Sequence, residues 1–259
     1  MIEIKNIRKS FGEKVVLHDV SARMEAGNAN LIIGSSGSGK TVLMKIMIGL
    51  MPVDSGAVLY EGKDITRMNE KELKELRKQI GMLFQGSALF DSKTVEENVM
   101  FPLDMFTKSS HAEKLKRVNE VLERVNLKDA NKKFPAEISG GMKKRVALAR
   151  AIVQNPKYLF CDEPNSGLDP QTSLVIDKLI KEITHEYKIT TVINTHDMNT
   201  VMESGDYIMY MYQGHKQWEG SNRDIIFSKD ERLNAFIFAS EFLAKAKEMS
   251  MIEANGRKP

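Results

Sequence analysis

The sequence predicts an α/β fold: a parallel sheet with a block of helices inserted between its strands. Three observations predict it. The run "LIIG" from Leu31 breaks into glycine and serine and resumes as an amphipathic segment, so a buried strand passes through a loop into a helix. The runs "KYLFCDEP" and "ITTVINTHD" are short and apolar with a helical stretch around Leu174 to Ile183 between them, the order that pairs strands in parallel. From about Thr94 to Val153 the signals are mostly helical.

The elements follow in chain order. "MIEIKNIRKSF" alternates apolar and polar residues through Ile2, Ile4 and Ile7, as a half-exposed strand does. "VVLHDVSARMEAG" is a second strand ending in a turn, and "ANLIIG" a buried third. Val42, Leu43, Ile46, Met47 and Leu50 then fall at helical spacing, and Pro52 is expected to stop that helix. "SGAVLYEGKDI" reads as a hairpin and "KELKELRKQIGMLF" as a charged helix followed by a strand. "HAEKLKRVNEVLERVNL" carries Leu115, Val118, Leu122 and Val125 on one stripe of a helix. "YIMYMYQGHKQWEG" reads as a closing hairpin. From about Lys229 a helical tail carries Leu233, Phe236, Ile237 and Leu243 before it frays into "EANGRKP". Its stripe either packs on its own domain or reaches a partner.

Composition sets limits. With 259 residues, 42% of them hydrophobic, the chain can bury a core for one large domain or two lobes. A net charge of +3 gives little support for nucleic-acid binding. The single cysteine, Cys161, cannot close an internal disulfide, which fits a reducing compartment. No stretch reaches the roughly 18 to 20 apolar residues that span a bilayer, and the N-terminus lacks the apolar run of a signal peptide. A cytosolic protein is expected, free to dock on a membrane partner. His18, His111, His185 and His215 lack metal-ligand spacing, and the 16 methionines read mostly as core filler.

Two motifs carry chemistry. "GSSGSGKT", Gly34 to Thr41, fits the phosphate-binding P-loop between strand and helix. Glycines let backbone N–H groups turn inward around phosphate oxygens, and the following helix points its positive end at the same anion. Lys40 adds a full charge near the β- and γ-phosphates, and the Thr41 hydroxyl can ligate Mg²⁺. "YLFCDEP" ends a buried run in two carboxylates. Asp162 is expected to hold Mg²⁺ through its water shell and Glu163 to polarise the attacking water. Alternation along a strand is expected to turn the two carboxylates to opposite faces.

The phrase "ISGGMKKRVALARA" from Ile138 resembles the signature motif of the ATP-binding cassette (ABC) ATPases and the helix after it. The remaining motifs resemble that family in order: Gln85 in "LFQGS", "SGLD" ending at Asp169, His196 in "NTHD", and Phe11 where the family stacks adenine. The resemblance covers nearly the whole chain. It implies a P-loop NTPase (RecA-like) core with an antiparallel β subdomain and a helical subdomain at about 86–153, within an ATPase domain over 1–228, followed by a helical tail over 229–259. It implies ATP and Mg²⁺ as cofactors. Nucleotide contacts are implied for Phe11, Gly34, Ser35, Ser36, Gly37, Ser38, Gly39, Lys40, Thr41, Val42, Gln85, Ser139, Gly140, Gly141 and Asp169. Thr41, Gln85 and Asp162 are implied as metal ligands, and Glu163 and His196 as catalytic residues. One position departs: the signature's usual glutamine is Met142, which cannot donate an amide hydrogen bond.

The resemblance further implies two copies packed head to tail, each ATP lying between the P-loop of one and Ser139, Gly140 and Gly141 of the other. The stretch "FQGSALFDSKTVEENVMFPL" and the "ISGGM" wording resemble the ATPases of Mla and mammalian-cell-entry type phospholipid transporters. That resemblance implies a permease homodimer, a periplasmic lipid-binding subunit and a small cytoplasmic accessory subunit as partners, and a peripheral place on the cytoplasmic face of the inner membrane. The docking surface is expected around Gln85 to Val99, with Ala88, Leu89 and Phe90 as its apolar cluster. Two other readings stay open: an ATPase of a small-solute ABC transporter, or an ABC ATPase acting on nucleic acid or ribosomes. The last usually carries a long coiled-coil insertion or a second fused cassette, and this sequence has neither.

Overall fold

The computed structural model describes residues 1–239 and 241–256; the end of the expected fraying segment, 257–259, lies outside the described residues. The chain runs β1 (Ile2–Phe11), β2 (Lys14–Met24), β3 (Ala29–Ile33), α1 (Lys40–Met47), β4 (Ser55–Tyr60), β5 (Lys63–Asp64), α2 (Glu70–Arg77) and β6 (Ile80–Leu83). Three helices follow, α3 (Val95–Phe106), α4 (His111–Arg124) and α5 (Gly140–Ile152). Then come β7 (Tyr158–Asp162), α6 (Pro170–Glu186), β8 (Thr190–Thr195), α7 (Met198–Ser204), β9 (Tyr207–Tyr212) and β10 (His215–Gly220). The chain closes with α8 (Asp224–Phe227), α9 (Glu231–Ile237) and α10 (Glu241–Gly256).

The strands form two sheets. An antiparallel sheet has the order β2-β1-β4-β5, and a six-stranded sheet the order β10-β9-β3-β8-β7-β6. β3 pairs in parallel with both β8 and β9, and β7 with both β6 and β8; only β10 runs antiparallel, closing the edge as a hairpin partner of β9.

Strand alternation divides the core. Leu31, Ile33, Leu159, Cys161 and Ile193 point into one cluster with the buried faces of α3 to α6. Ile32, Phe160, Val192, Met209 and Met211 point into a second, with α1 and the antiparallel sheet. A sheet buried on both faces reads as a continuous apolar run, which is why "YLFC" shows no alternation in sequence. Phe160 is fully buried, and its truncation to alanine should cost about 3–5 kcal/mol. Leu233 and Ile237 of α9 are buried in the first cluster, and Phe236 stacks on Tyr210 at 5.2 Å, so this stripe packs on its own chain.

Two sequence expectations need correction. α1 ends at Met47, well before Pro52; Leu50 lies beyond it, 60% exposed, its N–H returning to the Lys45 carbonyl at 2.9 Å. The helix buries Leu43, Met44, Ile46 and Met47, so Met44 takes the core place that spacing gave to Leu50. The helix expected around 174–183 starts earlier: Pro170 occupies its first turn and the Asp169 side chain accepts from Thr172 N–H at 3.0 Å as its N-cap.

Candidate functional site

The C-terminal ends of β3, β7 and β8 open into a cleft of about 900 Å³. Its walls include Ser35, Ser36, Gly37, Gly39, Lys40, Thr41 and Val42 from the P-loop and α1, with Gln85, Asp162, Glu163 and His196 opposite. In open parallel sheets ligands bind at this end, where loops from neighbouring strands diverge. Gly34 and Ser38, also expected at the nucleotide, are buried and lie outside these walls. A Cβ on Gly34 would lie 2.3 Å from the Met211 carbonyl oxygen, so only glycine fits there.

Lys40 is held inside its own loop. Its ammonium donates to the carbonyl oxygens of Gly34 at 2.7 Å and Ser35 at 3.1 Å. Burial lowers its pKa, while Glu163 and Asp162 pull it back up. The charge is therefore fixed beside the N-terminus of α1, where an anion gains most.

Asp162 closes β7, and its carboxylate accepts from the Asn194 side-chain amide at 3.1 Å. Glu163 lies one residue past the strand in the left-handed region, φ 49°. A turn, and not strand alternation, therefore separates the two carboxylates; the expected opposite faces give way to a strained backbone. Glu163 Oε2 lies 2.8 Å from Nδ1 of His196. Thr41, Gln85 and Asp162 line the same cleft and present hydroxyl, carboxamide and carboxylate oxygens, a hard donor set that fits Mg²⁺. Among the described residues there is no group of three or more His, Cys, Asp or Glu that could hold a metal alone, so phosphate and water oxygens would complete the shell.

Several expected residues lie apart. Ser139 caps α5, its Oγ accepting from Met142 N–H at 3.3 Å. Ser139, Gly140, Gly141 and Asp169 are absent from the walls of this cleft. Phe11 ends β1, paired with Lys14, 48% exposed and outside the walls. Leu89 packs against the core, whereas Ala88 and Phe90 face a separate groove of about 290 Å³ with Phe84, Phe101, Pro102 and Phe106. The apolar cluster is thus divided: one residue anchors the loop and two face outward.

Sequence reasoning missed three supports. Lys144 of α5 is 4% exposed, and its ammonium donates to the Gln85 carbonyl and, at 3.4 Å, to that of Glu163. Burial lowers its pKa. Arg150 donates to the carbonyls of Ser87 and Ala88, both at 2.7 Å. The Gln85 side chain donates to Ser166 Oγ at 3.2 Å, tying this loop to the segment before Asp169. Gln213 and Gly214, in the turn before β10, and Phe236 also line the cleft. The stripe in the tail was visible in sequence, but nothing there pointed Phe236 at the cleft.

Fold and cleft together define a P-loop nucleotide-binding cassette, with the RecA-like core, antiparallel β subdomain and helical subdomain that the sequence predicts. The chain belongs to the ABC transporter family: residues 17–166 match the family described as "ABC transporter". It is 40% identical over 230 residues to the probable ribonucleotide transport ATP-binding protein mkl of Mycobacterium leprae, covering 89% of this chain and 66% of that one. To the methionine import ATP-binding protein MetN of Carboxydothermus hydrogenoformans it is 45% identical over 231 residues, with 88% and 68% covered. The chain spans 66% and 64% of the two mkl proteins first matched, about two thirds of their length. Its fold matches a dimeric bacterial ABC transporter cassette with a TM-score of 0.79 at 32% identity, covering 86% of this chain and 99% of that one. The same cassette in a post-hydrolysis state bound to ADP and Pi matches at 0.78.

Proposed function

We propose that this protein is the ATP-hydrolysing subunit of an ABC transporter, working as a head-to-tail homodimer on a membrane permease. The observation that carries the reading is the Glu163–His196 contact, 2.8 Å long, in the cleft that also holds Lys40. In this reading P-loop N–H groups and Lys40 hold the triphosphate, and Glu163 orients a water in line with the γ-phosphorus and takes its proton. His196 holds the γ-phosphate against that water, and ADP and phosphate leave. Thr41, Gln85 and Asp162 would hold Mg²⁺, which neutralises charge on the phosphates. Ser139, Gly140 and Gly141 stand at the start of α5, outside their own chain's cleft, which suits contact with a partner's ATP.

The permease docks, in this reading, at the groove of Phe84, Ala88, Phe90, Phe101 and Phe106, whose rim carries Arg77, Lys78 and Arg150. Among the described residues no helix is long and apolar enough to cross a membrane. We read 1–228 as the ATPase domain, with about 86–153 its helical subdomain and 229–259 a C-terminal tail whose described part carries α9 and α10. The wording of residues 84–103 supports a phospholipid transporter of the Mla type, with a periplasmic lipid-binding subunit and an accessory subunit, at the cytoplasmic face of the inner membrane. A second reading, transport of a small solute, is favoured by the relatives, which are named for ribonucleotide transport and methionine import.

The hydrolytic reading is tested by Glu163→Gln. ATP should still bind while turnover falls roughly 10²- to 10⁴-fold; parental turnover would exclude Glu163 as the base. The cargo is tested by detergent extraction and co-purification of the membrane subunit. Bound phospholipid on the recovered complex supports the first reading; hydrolysis stimulated by methionine or ribonucleotide supports the second.

A further inference from the structure

Behind the Glu163–His196 pair lies a buried polar cluster that the cleft does not use. Asp177 sits on the inner face of α6, 4% exposed. Its Oδ2 accepts from the Thr200 hydroxyl at 2.8 Å, and that hydroxyl's oxygen accepts from the Asn165 side-chain amide at 3.0 Å. Asn165 follows Glu163 by two residues and precedes Ser166, the partner of Gln85. Thr200 lies on α7, one turn past His196, and is fully buried. The three side chains clamp the loop carrying Glu163 to the helix that follows His196, with α6 as the anchor.

Stability does not account for this cluster. Among the described residues, Oδ1 of Asp177 and Oδ1 of Asn165 find no hydrogen-bond partner, which disfavours the folded state. Burial pushes the Asp177 carboxyl up to about 6, Asp197 and Glu203 adding to the rise while the hydrogen bond from Thr200 opposes it. The same buried face carries the apolar Ile176, Leu179, Ile180 and Ile183 together with Ser173 and Thr184. An ionisable side chain buried on this face, among apolar and hydroxyl side chains, points to a role that packing does not fill. One such role is at hand. Glu163 holds a left-handed backbone, and such a conformation persists only where its surroundings fix it.

We propose that Asp177 is a positioning residue for ATP hydrolysis: through Thr200 and Asn165 it fixes the two segments whose side chains, Glu163 and His196, meet in the cleft. The inference rests on the reading of those two as the hydrolytic pair. It assigns Asp177 no contact with nucleotide, water or metal.

The test is a split between kcat and KM. Asp177→Leu removes the acceptor at similar volume; kcat for ATP should fall about tenfold while KM stays within about twofold, because the P-loop is untouched. Asp177→Asn keeps an acceptor and should recover most of the rate. Thr200→Val exchanges the hydroxyl for a methyl and should reproduce the loss, Thr200→Ser should restore it, and the Asp177→Leu/Thr200→Val double variant should be no slower than either single. Should Asp177→Leu fail to fold, the two Thr200 variants carry the same test. Parental kcat in Thr200→Val, a KM change as large as the kcat change, or additive losses in the double variant would overturn the proposal. Glu163→Gln, assayed alongside, separates the failures. If it is inactive while Asp177→Leu and Thr200→Val are parental, the positioning role alone falls; if it turns over like the parent, the hydrolytic reading falls too.

Discussion

The P-loop lines the cleft, the loop after Gln85 leads from it to the aromatic groove, and the two reach their shapes by opposite routes. The P-loop stores its shape in residue type: Gly34, Gly37 and Gly39 have φ values of 151°, 79° and 101°. The loop after Gln85 places two consecutive non-glycine residues, Ser87 and Ala88, at φ 63° and 48°. Nothing in their side chains favours that conformation. It is held from outside, by Arg150 on the two carbonyls and Lys144 on that of Gln85, all from α5. A loop with glycine at its positive-φ positions takes its geometry without side-chain strain, and Lys40 ties it to itself. A loop pinned by another element's cations follows that element. The first property suits holding a ligand, the second reporting on it.

The largest effect should come from breaking the self-shaped loop. Gly34→Ala sets a methyl against backbone, 2.3 Å from the Met211 oxygen, so the loop must deform. ATP affinity should fall by about 10²-fold or more, at least roughly 2.7 kcal/mol, measured by titration calorimetry; near-parental affinity would show that the loop is adaptable after all. Next comes Arg150→Met, which keeps the buried stem and removes the two hydrogen bonds. Stability should drop by about 1–3 kcal/mol, and amide exchange should quicken across residues 85–90, with ATP affinity within about twofold. If ATP affinity falls as far as in Gly34→Ala, the two loops are not separate devices. The smallest effect is Ala88→Gly. Relief of the left-handed backbone, offset by glycine's greater freedom in the unfolded chain, should raise stability by less than about 1 kcal/mol. A melting curve reads this as a rise of a few degrees at most, and a fall would mean that the alanine methyl supplies packing in the groove.

That contrast also decides what the sequence could reveal. The P-loop was legible because its chemistry is local: strand, glycines, lysine and helix occupy adjacent positions. Asp162 and Glu163 were legible as a pair, but the turn that separates them was not, since a left-handed glutamate leaves no mark in composition. Lys144, Arg150 and Asn194 meet partners 59, 62 and 32 residues away, distances that only the folded sheet closes. Leu89 and Phe90 are both apolar and adjacent; which one anchors and which faces the groove depends on how α3 and α5 pack beneath them. Helix ends failed for a related reason. Pro52 is a visible stop, yet the chain turns three residues earlier, at Gly49.

α5 has one mechanical consequence. It is 13 residues long, so it measures roughly 20 Å. Its far end, from Val146 to Ile152, is embedded in the core, while Ser139 stands at its near end. Rotation of about 5° about the embedded end would carry Ser139 through nearly 2 Å, given that length. Lys144 and Arg150 sit closer to the pivot and would travel proportionately less. The helix is then an unequal lever, its long arm at Ser139 and its short arm at the residues behind the aromatic groove. Under such a rotation a wide displacement at one end would become a short one at the other.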